Sequence, residues 1–152
     1  GDILARKLIG PEKWCVIGII PPYTIPAKKT RSALPASVSH KDAIYNVQKM
    51  ALLIEAVAAG DDESMKAALR DKLHEPFRAK LVPEFSELRK LLQNYDVLGT
   101  VISGNGPTML TFVDIQQKLA VLEALNHWAQ SQKNGCRIEE FEIDDEGLFV
   151  RD

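Results

Sequence analysis

Residues 97–113, VLGTVISGNGPTMLTFV, set the architecture of this chain. Two apolar runs, VLGTVI before and MLTFV after, flank a Gly-Asn-Gly-Pro tip. They read as paired antiparallel strands joined by a turn, since Gly-Asn-Gly supplies the backbone freedom that a tight strand connection needs. A plain hairpin tip needs one or two glycines. Here Gly104, Gly106 and Pro107 free or restrict the backbone together, and successive exposed N–H groups in such a turn can form an anion-binding nest.

On the N-terminal side, WCVIGII (14–20) is a nearly continuous apolar run stopped by Pro21-Pro22, a buried strand. Residues 21–38 are rich in proline and read as a loop, with room for a short helical turn between Ala27 and Leu34. Ser39 with Asp42 has capping-box-like spacing and opens the strongest helix, carrying Ile44, Val47, Ala51, Ile54, Val57 and Ala58 to a stop at Gly60. Asp61 can cap a second helix with Met65, Ala68, Leu69 and Leu73, ended or kinked by Pro76. Pro83 suits the first turn of a third, with Phe85, Leu88, Leu92 and Tyr95 on one side.

Beyond the hairpin, Asp114 and Gln117 can cap a fourth helix whose stripe is Leu119, Leu122, Leu125 and Trp128. CRIEEFEI and LFV then suggest a last hairpin, with a bulge at Glu139-Glu140 where the alternation slips. Strand, helices, two strands, helix, two strands predict an α+β domain, mainly antiparallel, with helices packed on one face of the sheet. At 152 residues, one domain spanning 1–152 is expected.

A formal net charge of −2 and 26% charged residues give no electrostatic footprint for nucleic acid. No apolar run reaches membrane-spanning length. Cys15 and Cys136 sit in separate apolar runs and read as small buried hydrophobes of a reduced, cytoplasmic protein. The start, GDILARKLIGPEKW, has no initiator methionine and reads as a partial chain with a vector-derived first residue.

His40, His74 and His127 lack metal-ligand spacing with each other or with either cysteine. No Walker A loop or GxGxxG is present, and VISGN around Ser103 does not fit a nucleophile elbow. Three stretches remain. Arg31 in RSALP reads on its own as a surface arginine. In DKLHEPFR, Asp71, His74 and Arg78 would line one side of a helix broken near Pro76. As a bland feature this is a helix end with a local ion pair; as a functional one, Arg78 is a planar fork for a carboxylate. The third is the glycine-rich tip, Ser103 to Pro107.

Taken in order, RSALP, a long helix, DKLHEPFRAKLVPEF and GTVISGNGPTML resemble the C-terminal half of homoserine kinases, of the GHMP kinase superfamily, over residues 14 to 130. SGNGPT looks like the superfamily's third, glycine-rich motif; D-x-x-x-E-P-x-R and R-x-x-L-P are narrower. The resemblance implies a ferredoxin-like C-terminal domain and transfer of the γ-phosphoryl of ATP, with Mg²⁺, to the hydroxyl of L-homoserine in threonine biosynthesis. It implies Arg31 and Arg78 on the substrate carboxylate, and Ser103, Gly104, Asn105, Gly106 and Pro107 as support for the phosphate-binding loop.

No catalytic or metal-binding residue is expected within these residues. The superfamily's second motif, P-x-x-x-G-L-G-S-S-A, does not occur here; the resemblance therefore implies a nucleotide-binding N-terminal half as partner, and this chain alone is expected to be inactive and to hold no cofactor tightly. Ala27 stands where family members often carry threonine, four residues before Arg31. Asp71 is expected to orient Arg78 or close its helix, and His74 to make a helix-end hydrogen bond. Another GHMP small-molecule kinase, or a non-catalytic amino-acid-binding regulatory module, are the competing functions, and the C-terminal hairpin offers an edge for a homodimer.

Overall fold

The computed structural model describes residue 4 and residues 7–132 and 135–142. Strand β1 (Trp14–Ile20) is followed by helices α1 (Ala27–Ser32), α2 (His40–Ala59), α3 (Asp62–Ala68), α4 (Glu75–Arg78) and α5 (Glu84–Leu92). Strands β2 (Val97–Ile102) and β3 (Met109–Asp114), helix α6 (Lys118–Ser131) and strand β4 (Arg137–Phe141) complete the described residues. The strands form one antiparallel sheet in the order β2-β3-β1-β4, the pairing of a βαββαβ, ferredoxin-like unit with extra helices in its first connection.

Because side chains alternate along a strand, the sheet has two distinct faces. Ile17, Ile19, Met109 and Val113 point to one face, where they pack with Phe85, Leu88 and Leu92 of α5 and Val121, Leu125 and Trp128 of α6. Thr100 and Thr111 share this face, and their hydroxyls satisfy each other at 3.0 Å. On the other side Trp14 and Leu98 meet Ala56 of α2 and Met65 of α3 in a second, smaller cluster, so helices cover both faces of the sheet and not one face as the element order suggests.

Helix boundaries follow local chemistry. The Ser39 hydroxyl accepts from the Asp42 amide at 3.0 Å and donates to its carboxylate at 2.6 Å, closing the start of α2. Gly60 ends it in the left-handed conformation, φ +64°. Asp61 caps α3 through the Glu63 amide and the Ser64 hydroxyl.

Four local expectations are revised. The stripe Ile44, Val47, Ala51, Ile54 and Ala58 faces outward, whereas Leu53, Ala56 and Val57 face the domain; α2 is apolar on two sides, and periodicity alone does not say which is inside. Pro76 opens α4 rather than ending α3, which stops at Ala68. The β4–β1 register runs unbroken from Val16↔Phe141 to Ile20↔Arg137, so the Glu139-Glu140 bulge is absent; the register shift lies in β2 between Val97 and Gly99. In α6, Leu119 is exposed and Val121 takes the buried position. The second strand of the last hairpin, LFV, lies outside the described residues.

Candidate functional site

The hairpin tip is built on two left-handed glycines. The Gly106 amide donates to the Ser103 carbonyl at 2.8 Å, and the Ser103 amide donates to the Thr108 carbonyl at 2.8 Å. Gly104 and Gly106 have φ of +52° and +73°, a region that L side chains rarely adopt. The Gly106–Pro107 bond is cis. Gly104 and Asn105 are exposed at the apex, and among the described residues neither of their amides donates to another protein group. Both are open to an acceptor from outside the chain.

Arg78 reaches this tip from α4. Its Nη1 donates to the Gly104 carbonyl at 2.5 Å. Its Nε is buried with no protein partner, an orphaned cationic donor of the sort that a bound anion satisfies. Two separate sequence motifs thus meet in one place.

The short helix that carries Arg78 is heavily tied down. The Asp71 carboxylate accepts the backbone amides of Leu73 at 3.2 Å, His74 at 2.8 Å and Glu75 at 2.5 Å. Burial alone would push the Asp71 carboxyl up, but these amides and the Asn46 side chain together hold it below its ordinary value. Asp71 therefore closes the helix rather than touching the Arg78 side chain. The Glu75 carboxylate meets Arg89 of α5 at 3.0 Å; burial raises its pKa, against the lowering effect of Arg89. The His74 side chain is exposed and makes no capping bond; its backbone carbonyl instead accepts from the Phe77 and Arg78 amides.

Arg31 lies exposed in the last turn of α1. Among the described residues no hydrogen bond or ion pair joins its side chain to Arg78 or to the hairpin tip. Thr30 is fully buried, with its hydroxyl donating to the Ala27 carbonyl at 3.0 Å, so it does not replace the hydroxyl missing at Ala27. The loop before α1 does approach the tip: Ile20 to Ile25 and Asn105 to Thr108 line a cleft of about 680 Å³.

Cys15 and Cys136 are free and half-buried, with burial the first cause raising both thiols. Among the described residues no three His, Cys, Asp or Glu side chains gather as a metal site, and no helix is long and apolar enough to cross a membrane. The donor set beside Arg78 suits an anion, not Mg²⁺.

Sequence reasoning missed Asn46 and Arg89, which work through tertiary contacts with no local pattern to mark them. Glu75 stands in the D-x-x-x-E-P-x-R motif, but its pairing with Arg89 is not written there.

Curated relatives resemble most of this chain. The homoserine kinase of Clostridium botulinum (strain ATCC 19397 / Type A) is 35% identical over 138 residues, covering 91% of this chain and 46% of its own length. That of Desulfitobacterium hafniense (strain DSM 10664 / DCB-2) is 30% identical over 149 residues, 98% of this chain and 50% of its own. The chain spans about half the length of the curated relatives it matches.

Among solved structures, a homoserine kinase from Cytophaga hutchinsonii superposes with a TM-score of 0.85 at 22% identity, over 93% of this chain and 45% of its own. A Streptococcus pneumoniae phosphomevalonate kinase does so at 0.65 and 12%, over 88% and 41%. Both likenesses speak to the fold. The model of the family described as GHMP kinases C terminal matches residues 53–130, just over half the chain, from the last two turns of α2 through the glycine-rich tip into α6; this chain belongs to that family.

Proposed function

We propose that this chain is the C-terminal domain, residues 1–152, of an ATP-dependent homoserine kinase. The observation that carries the reading is Arg78, fastened to the Gly104 carbonyl at 2.5 Å with its Nε buried and unpartnered. It holds a planar cation at the base of a phosphate-type turn. The curated relatives named homoserine kinase supply the substrate.

In the reaction the homoserine hydroxyl oxygen bonds to the γ-phosphorus of ATP and releases its proton to solvent, the bond to the β,γ-bridging oxygen breaks, and ADP leaves with its charge held by the nucleotide-binding half. This chain contributes positioning, which is most of what phosphoryl transfer asks of a protein. Arg78, with Arg31 completing the clamp, binds the amino-acid carboxylate and aims the hydroxyl. Ser103 to Pro107 form a wall that supports the loop gripping the phosphates. ATP and its Mg²⁺ are held by the N-terminal half. We assign the enzyme to the cytoplasm, and a homodimer would use the sheet edge offered by the C-terminal hairpin.

A coupled ADP-release assay with homoserine, on the full-length protein and on this chain alone, tests the reading. Turnover is expected only at full length. Arg78→Ala there raises the homoserine KM by roughly tenfold or more, as expected for losing a charge-assisted contact, and leaves the ATP KM within about twofold. An effect dominated by ATP would overturn the role of Arg78. Phosphorylation of some other small alcohol, with homoserine ignored, would replace the substrate; no ATP turnover at all would favour an amino-acid-binding module.

A further inference from the structure

We propose that Asn46, in the middle of α2, is a positioning residue for the substrate arginine, acting through Asp71 and the start of α4. The inference rests on the assignment of Arg78 to the substrate carboxylate. A helix of four residues cannot stand by its own hydrogen bonds, because the cost of nucleation exceeds what one turn returns. The placement of Arg78 must therefore come from what holds α4 at its ends. At the C-terminal end Arg78 itself reaches Gly104. At the N-terminal end Asp71 gathers the amides of Leu73, His74 and Glu75, and Asp71 is in turn fixed by Asn46.

The bond from Asn46 is two-sided. Its Nδ2 donates to the Asp71 carboxylate at 2.5 Å, and its Oδ1 accepts the Lys72 amide at 2.9 Å. An ionised carboxylate can only accept and a backbone N–H can only donate, so this position needs one donor and one acceptor on the same short side chain. Asparagine supplies both at this length; alanine, serine and aspartate do not. The same edge of α2 holds the segment again through Lys72, whose ammonium lies 3.6 Å from Asp42 and 4.4 Å from the centre of the Tyr45 ring. Asn46 is half-buried and faces the domain, away from the exposed apolar stripe of the same helix.

The test is a swap in the full-length kinase. Asn46→Asp keeps the acceptor for the Lys72 amide but sets a second carboxylate against Asp71. Asp71→Asn removes the charge that organises the three amides. The double variant, Asn46→Asp with Asp71→Asn, rebuilds an amide–carboxylate pair with its polarity reversed. The carboxylate introduced on α2 then accepts from the Lys72 amide and from the side-chain amide introduced before α4, whose oxygen keeps the His74 and Glu75 bonds.

Each single variant is expected to raise the homoserine KM by roughly tenfold with the ATP KM nearly unchanged, and the double variant to return to within about threefold of wild type. Hydrogen exchange supplies a readout that needs no substrate. Faster exchange is expected across residues 71–78 and 103–105 in the singles, reversed in the double. Equal shifts in both KM values, or a double variant no better than the singles, would overturn the proposal. So would unchanged exchange in Asn46→Asp. Should wild type ignore homoserine, the substrate assignment falls on that result, and the exchange measurement still decides whether Asn46 positions the Arg78 segment.

Discussion

Removing the Arg89 guanidinium, by Arg89→Leu, should destabilise the chain in a manner that fades with acid. The Glu75 carboxylate is 10% exposed and Arg89 36% exposed, with 3.0 Å between them. Arg89 also lies 4.8 Å from the centre of the Phe85 ring, and leucine keeps part of that apolar contact. A charge-assisted hydrogen bond is worth about 1.5–3 kcal/mol; with Arg89 over a third exposed, solvent screening reduces the expected loss to about 1–2 kcal/mol at pH 7.5. For a chain of this size that is roughly 3–6 °C in Tm.

The sign with pH follows from the direction of the shift. Burial raises the Glu75 pKa above its ordinary 4.5, and Arg89 is the main influence drawing it back. A raised group contributes stability that is full below its unfolded pKa and lost as pH rises through its folded one. Without Arg89 the folded pKa climbs further, so the loss spreads across the neutral range. Around pH 4 Glu75 is protonated with or without its partner, and the gap between variant and wild type should close. Thermal unfolding of both proteins at pH 4 and pH 7.5 reads this directly, and Glu75→Gln combined with Arg89→Leu should recover most of the deficit at pH 7.5. An equal deficit at both pH values, or a double variant as weak as the single, would refute the reasoning.

Two contrasts test packing and backbone. Leu88→Ala, at a fully buried position in α5, should cost about 2–5 kcal/mol in urea unfolding, whereas Ile54→Ala, 51% exposed on α2, should cost under about 1 kcal/mol because little apolar area leaves contact. Gly104→Ala meets no atom within 4 Å and pays only for its φ of +52°, about 1 kcal/mol. At Gly106, φ +73°, an added methyl would also lie 3.1 Å from Ile102 and 3.3 Å from Val82, so Gly106→Ala should lose clearly more in the same measurement.

Much of this fold is written locally. Ser39, Gly60 and Asp61 mark helix ends by chemistry confined to a few residues, and the apolar run 14–20 has the bounds of β1. The hairpin is legible because its glycines sit between two apolar runs. What is not legible depends on contacts between distant residues. Whether Ile54 or Leu53 faces inward is decided by where Trp14 and Met65 stand. Pro76 reads as a helix stop until Asp71 is seen gathering the amides that begin α4. The β2 register shift places Leu98 on the side of Ala56 and Met65, a demand no stretch of β2 announces. Within the site, the order of RSALP, DKLHEPFR and SGNGPT carries the family resemblance. The bond from Arg78 to Gly104 crosses 26 residues, and the two-sided role of Asn46 leaves no mark in the sequence.

The placement of a candidate substrate arginine on so short a helix has a consequence for where mutations act. Helix α4 is tied to α2 through Asn46 and Asp71, to α5 through Glu75 and Arg89, and to the β2–β3 turn through Arg78. A long helix would fix the guanidinium by its own ladder, with little sensitivity to its neighbours. A four-residue turn takes its orientation from three other elements, so a change in any of them is transmitted to Arg78. The ties also differ in kind. The Asp71 hub is a hydrogen-bonded carboxylate held below its ordinary pKa, and it weakens as pH falls through that depressed value. The Glu75 pair is a buried carboxylate held above its ordinary pKa, and its cost falls in the same direction. Both groups sit at the N-terminal end of α4, and as pH falls the raised Glu75 takes up its proton first, so the charged tie to Arg89 of α5 is lost before the Asp71 tie to α2 weakens.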